Sequence, residues 1–114
     1  MLQIYDLKTE YLSNPLGIDA PKPRFSWKLR SDRKGVMQKS YRIVAESDGI
    51  LIWDSGDVES DASLRVRYEG MPLVSRQRIS WSVAVTAVDD NGIEEIAQSE
   101  TAWFEMGLLK KDDW

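Results

Sequence analysis

Apolar and polar residues alternate with period two along most of this chain, which predicts strands with one buried face. Phe25, Trp27 and Leu29 alternate with Ser26, Lys28 and Arg30. Tyr41, Ile43 and Ala45 alternate with Arg42, Val44 and Glu46, and Leu64, Val66 and Tyr68 with Arg65, Arg67 and Glu69. The longest run, Ile79 to Val88, sets Ile79, Trp81, Val83, Val85 and Ala87 on one face and small or mildly polar residues on the other. Leu2, Ile4 and Leu7 open the chain as an edge strand ending before Asn14, and a last strand runs roughly from Ala97 to Phe104. No span keeps a helical period, and no internal repeat is present.

Turn signals separate these runs. Asp48-Gly49 predicts a tight hairpin turn, after which Ile50 to Trp53 returns as a partner strand. Asp90-Asn91-Gly92 supplies residues that tolerate positive φ at the end of the longest strand. Residues 13–23 carry Pro15, Gly17, Pro21 and Pro23 and read as an ordered loop, with Pro21-Lys22-Pro23 extended and unable to pair fully. About seven short strands with turns between them predict an all-β, antiparallel, two-sheet sandwich of immunoglobulin or fibronectin type III kind. Trp27 is expected between the sheets, packed against Trp81, with Tyr41, Ile43, Val83 and Val85 around it. Burying each large side chain contributes about 1.5–3 kcal/mol before entropy is subtracted.

Composition narrows the function. At 114 residues, 42% hydrophobic and 30% charged, the chain fits one soluble domain with a core of its own. The absence of cysteine and histidine excludes disulfides, thiol catalysis, a histidine-based triad and the common zinc sites, and no cofactor or metal is expected. A net charge of −4 gives no electrostatic reason to bind nucleic acid or an anionic membrane. No apolar run approaches a membrane span, and Met1 to Asp6 lacks a signal-peptide pattern; neither fixes a compartment.

An ordered set of short segments is more specific. Asn14-Pro15-Leu16-Gly17-Ile18-Asp19, Pro23-Arg24-Phe25-Ser26-Trp27, Tyr41-Arg42-Ile43, Trp53-Asp54-Ser55-Gly56, Val58-Glu59-Ser60, Pro72-Leu73, Trp81-Ser82-Val83 and Phe104 to Leu109 follow one another across almost the whole chain. Together they resemble the N-terminal β-sandwich module of bacterial α-L-rhamnosidases, which are inverting glycoside hydrolases. Trp81 to Ala87, followed by Asp90-Asn91-Gly92, also looks like a fibronectin type III domain, with tryptophan where many such domains have tyrosine. The rhamnosidase resemblance implies a sandwich over residues 1–107 and, over 108–114, the start of a linker to a following domain. It also implies that the carboxylates hydrolysing terminal α-L-rhamnosides belong to a separate (α/α)-barrel. None of them maps onto this chain, so no catalytic residue is assigned here.

The remaining candidates concern recognition. Asp54, Asp57, Glu59 and Asp61 form the densest acidic segment, but their spacing is not that of an EF-hand; a solvated loop, with Asp54 and Ser55 capping a local turn, is favoured. Tryptophan also stacks on the C–H faces of sugars. Trp27 and Trp81 occupy core positions, whereas Trp53 and Trp103 end or flank strands and Trp114 lies outside the sandwich pattern. Trp53, Trp103 and Trp114 are therefore the candidate contacts, either to rhamnose-containing glycan or to the remaining domains of a parent enzyme. Asn14 to Asp19 reads either as a binding loop or, preferably, as a turn set by Pro15 and Gly17 and anchored by Leu16 and Ile18. Arg65 and Arg67 read as a solvated basic row or an interdomain salt bridge. Three readings follow: a non-catalytic accessory domain that packs against and positions the catalytic portion, a carbohydrate-binding module, or a generic protein-interaction sandwich, which would need a contiguous exposed apolar patch.

Overall fold

The computed structural model describes residues 2–10, 12–18, 22–32, 35–64 and 66–107. Among these, eight strands and no helix are present: β1 (Gln3–Thr9), β2 (Arg24–Arg30), β3 (Met37–Ser47), β4 (Ile50–Asp54), β5 (Val66–Arg67), β6 (Arg78–Val88), β7 (Glu94–Gln98) and β8 (Ala102–Glu105). A three-stranded sheet has the order β1-β2-β5, and a five-stranded sheet the order β4-β3-β6-β7 with β8 also on β6. Every strand pair is antiparallel. The all-β, two-sheet expectation is met.

The core lies between the sheets. Ile79, Trp81, Val83, Val85 and Ala87 are all at most 1% exposed, as their alternation required. Asp48 (φ 54°) and Gly49 (φ 77°) make the expected hairpin turn between β3 and β4. In the turn after β6, Gly92 takes φ 77°, but the organising side chain is Asp89, whose Oδ1 accepts from the amides of Asn91 and Ile93.

Four expectations need correction. The ring that packs on Trp81 is Phe25, at 4.4 Å between centroids, while Trp27 meets Tyr41 at 5.3 Å. Tyr41 pairs with Val85 and Ala45 with Trp81, so Trp27 and Trp81 sit at different levels of the sandwich. The last strand is two strands: β7 pairs the Ala84–Val88 half of β6 and β8 the Arg78–Trp81 half. Ser99 interrupts them, accepting from the Val83 amide through Oγ and donating its own amide to the Val83 carbonyl. Among the described residues the run from Leu64 to Glu69 gives a two-residue strand, Val66 and Arg67 opposite Phe25 and Arg24, and the Tyr68 amide continues the pairing to the Pro23 carbonyl. Val66 and Tyr68 are buried, but Leu64 is 64% exposed. Leu16, finally, does not anchor its loop; it is 65% exposed, and Pro15 and Ile18 are the buried members.

Bulges break the simple alternation where side chains must be re-aimed. On β3 the register slips between Gln38 and Ser40, which turns Gln38 inward with Tyr41, Ile43 and Ala45. Gln38 accepts from Trp27 Nε1 (3.0 Å) and donates to the carbonyls of Ser60 and Ala62 (3.0 and 2.7 Å). One buried amide thereby ties the crossover segment 55–64 to the core. On β4 the slip opposite Ala45 and Glu46 lets adjacent residues, Ile52 and Trp53, both turn toward the core.

Candidate functional site

The β4 bulge sets Trp53 at the edge of the sandwich facing β5. Its indole stacks on Phe25 (5.9 Å, 22°) and meets Tyr68 edge-on (5.2 Å, 71°). Trp81, Phe25 and Trp53 thus form a column of rings running from the core outward. Gly70 seats the indole: a Cβ there would lie 2.4 Å from Trp53 Cβ and 2.7 Å from the Ile52 carbonyl oxygen. The Tyr68 hydroxyl donates to the Met71 carbonyl, and burial pushes that phenol up to about 12.

Trp53 and Tyr41 form the aromatic side of an open cavity of about 410 Å³. Val58, Ala62, Leu64 and Val66 supply apolar lining, and Ser55, Arg67 and Glu69 polar groups. Ser55 is committed to structure: Oγ accepts from the Ile43 amide and donates to the Gly56 carbonyl. Glu69 has a loose partner in Lys22, 3.4 Å away and exposed. The Tyr41 hydroxyl and the Arg67 guanidinium have no side-chain partner among the described residues. Burial also raises the Tyr41 phenol above its ordinary pKa.

The second candidate, Trp103, has a cation against its ring. It lies on β8 opposite Ser80, and the Arg78 guanidinium covers its ring at 4.3 Å. Its amide donates to Asn14 Oδ1 (3.0 Å), which links it to the 13–18 loop. Trp114 and Arg65 lie outside the described residues. The structure therefore does not bring Trp53 and Trp103 together: Trp53 belongs to the β4–β5 edge, and Trp103 to the end where β8 leaves the sandwich.

At that end the 13–18 loop clasps the exit strand. Glu105 donates its amide to the Pro15 carbonyl, Ile18 to the Glu105 carbonyl and Gly107 to the Ile18 carbonyl. From the other side Met106 donates to the Gln77 carbonyl and Arg76 to the Gly107 carbonyl. Exposed Leu16 and Val74 flank this clasp.

A larger groove, about 650 Å³, runs between β1 and the β7–β8 edge. Its single aromatic ring, Tyr5, is covered by the Arg30 guanidinium at 4.8 Å. Among the described residues no group of acidic side chains could hold a metal ion. Asp54 is spent on a bidentate pair with Arg42 and on the Gly56 amide, as a turn-capping residue should be. The Arg42 guanidinium, with that amide, holds its carboxyl at about 2 instead of the ordinary 3.8.

A family model described as the Rha78A-like, N-terminal immunoglobulin domain matches residues 4–110. The chain belongs to this family. Its immunoglobulin-like domain is 39% identical to an α-L-rhamnosidase of Streptomyces avermitilis over 99% of the chain, and 38% identical to one of Formosa agariphila over 93%. It spans only 11% and 12% of those enzymes, so nearly nine-tenths of each has no counterpart in this chain. The crystal structure of the S. avermitilis α-L-rhamnosidase complexed with L-rhamnose superposes with a TM-score of 0.89 at 36% identity, covering all of this chain and 11% of that one. The α-L-rhamnosidase from Dictyoglumus thermophilum gives 0.86 at 34% identity, covering 98% and 13%.

Sequence reasoning missed Tyr41, Arg67 and Gly70 as parts of one site in this immunoglobulin-like domain. Tyr41 reads as a core residue and Gly70 as an ordinary loop glycine. Only the β4 bulge, which cannot be seen in the alternation, turns Trp53 toward them.

Proposed function

We propose that this domain is a non-catalytic accessory module of an α-L-rhamnosidase, packing against and positioning the portion that hydrolyses terminal α-L-rhamnosides. The observation that carries this reading is the match of nearly the whole chain to about 11% of enzymes bearing that name. In this reading residues 108–114 begin the linker to the next domain, with Trp114 docking against it, and Leu16, Val74 and the Arg78-covered Trp103 form the contact surface beside Gly107. The clasp around Glu105 to Gly107 supports such a role, because it fixes the direction in which the strand departs.

Two measurements test it together. Residues 1–114 should release no rhamnose from an aryl α-L-rhamnoside; release would overturn the reading. Deleting the domain from a longer rhamnosidase that carries it should lower the thermal midpoint of the remaining enzyme, and an unchanged midpoint and unchanged activity would also count against it. The carbohydrate-binding alternative has one specific observation in its favour, the cavity beside Trp53.

A further inference from the structure

We propose that the cavity at the β4–β5 edge binds a single 6-deoxyhexopyranose unit, held among the Trp53 and Tyr41 rings and the Val58, Leu64 and Val66 side chains that line it. The volume, about 410 Å³, sits in the lower part of the usual range of about 300–1,000 Å³ for small-molecule sites, which suits one sugar ring. Aromatic side chains pack against the axial C–H groups of a pyranose, and Trp53 and Tyr41 line this cavity while also packing on Phe25, Tyr68 and Trp27. The Val58, Ala62, Leu64 and Val66 side chains give a C6 methyl apolar surface to pack on, which a hydroxymethyl, keeping its water in so open a site, would use less well.

The polar groups complete the match. Among the described residues the Tyr41 hydroxyl and the Arg67 guanidinium have no side-chain partner, and Glu69 is paired with an exposed lysine 3.4 Å away. An arginine fork and a carboxylate at one rim can donate to and accept from vicinal ring hydroxyls. The site is also pre-organised: Phe25, Tyr68 and Gly70 fix the Trp53 indole before any ligand arrives, so little side-chain freedom is lost on binding. The choice of sugar configuration used as probe rests on the rhamnosidase reading above, while the preference for a methyl group comes from the cavity itself.

The test titrates the 114-residue chain with methyl α-L-rhamnopyranoside and with methyl α-L-mannopyranoside, which differ only in the hydroxyl at C6. Heteronuclear NMR follows the Trp53 indole N–H and the Val58 and Val66 methyl groups. The expected result is saturable shifts at these positions, with the rhamnoside bound about fivefold or more tightly. Tyr41→Phe and Arg67→Gln should each weaken binding about five- to tenfold while leaving the urea midpoint within error of the parent chain. Three results would overturn the proposal: no saturable shift with the fold intact, shifts confined to Trp103, or equal binding of the two sugars. Response in the 114-residue chain but none in a longer rhamnosidase carrying the domain would overturn it too, by assigning the cavity to a domain interface. Each leaves the accessory reading standing, since that depends on hydrolysis and domain deletion.

Discussion

Two tryptophans, each 1% exposed, differ in one atom's circumstances. Trp27 Nε1 donates to Gln38 Oε1, whereas Trp81 Nε1 is buried with no hydrogen-bond partner among the described residues. Replacing either indole by phenyl removes a similar volume, so the difference between the two variants isolates the polar term. Trp27→Phe leaves a buried amide oxygen without its donor, whereas Trp81→Phe removes a donor that no described residue accepts from. Trp27→Phe should therefore lose about 1–3 kcal/mol more than Trp81→Phe in urea unfolding, and equal losses would refute this account. Asp54 makes a second residue-level prediction. Its folded pKa, about 2, lies below the ordinary 3.8, so its pairing with Arg42 stabilises the fold above about pH 4 and is lost as pH falls toward 2. Asp54→Asn should lower stability at neutral pH and flatten the acid limb between those values; an unchanged limb would show that other carboxylates set it.

At the scale of elements, the strands announce themselves where one face is continuous, and the irregularities do not. The β6 run was legible because five inward residues keep strict alternation. The bulges that turn Gln38 and Trp53 inward were not, since a one-residue slip leaves the composition of a strand unchanged. For the same reason the β7–β8 break at Ser99 reads as one strand, although a serine hydroxyl and amide both serve Val83 there. The 13–18 loop was legible as a turn, but its partner was not, because the clasp joins it to residues about ninety positions away. Asn14 carries that clasp twice over: it holds φ 46°, and its Oδ1 receives the Trp103 amide. Asn14→Ala should cost about 1 kcal/mol for the left-handed backbone and about 1 kcal/mol for the hydrogen bond. Asn14→Gly relieves only the first, so thermal midpoints should rank the parent chain highest, glycine next and alanine lowest. Any other order would detach the loop from the stability of β8.

For the molecule as a whole, the arrangement separates a self-sufficient interior from surfaces aimed elsewhere. The ring column from Trp81 through Phe25 to Trp53, the Gln38 hub and the inward face of β6 all close on residues of this chain. Leu16 and Val74, beside the departing strand, are 65% and 60% exposed. A domain organised this way should unfold as one unit without help from neighbours, which is what an accessory module needs if it is to position a larger body. Tryptophan fluorescence reports all five indoles, the buried Trp27 and Trp81 among them, and far-ultraviolet circular dichroism reports the sheets. In urea the two signals from residues 1–114 should change together, with a slope of about 1–3 kcal/mol per molar. Leu16→Ser and Val74→Ser should leave that midpoint within about 0.5 kcal/mol, because neither side chain contributes to the core. In a longer rhamnosidase carrying the domain, the same pair should lower the midpoint if the proposed docking surface is correct. Separate transitions in the 114-residue chain would show instead that one sheet depends on the neighbour it is meant to hold, and the module would then be supported by the enzyme rather than supporting it.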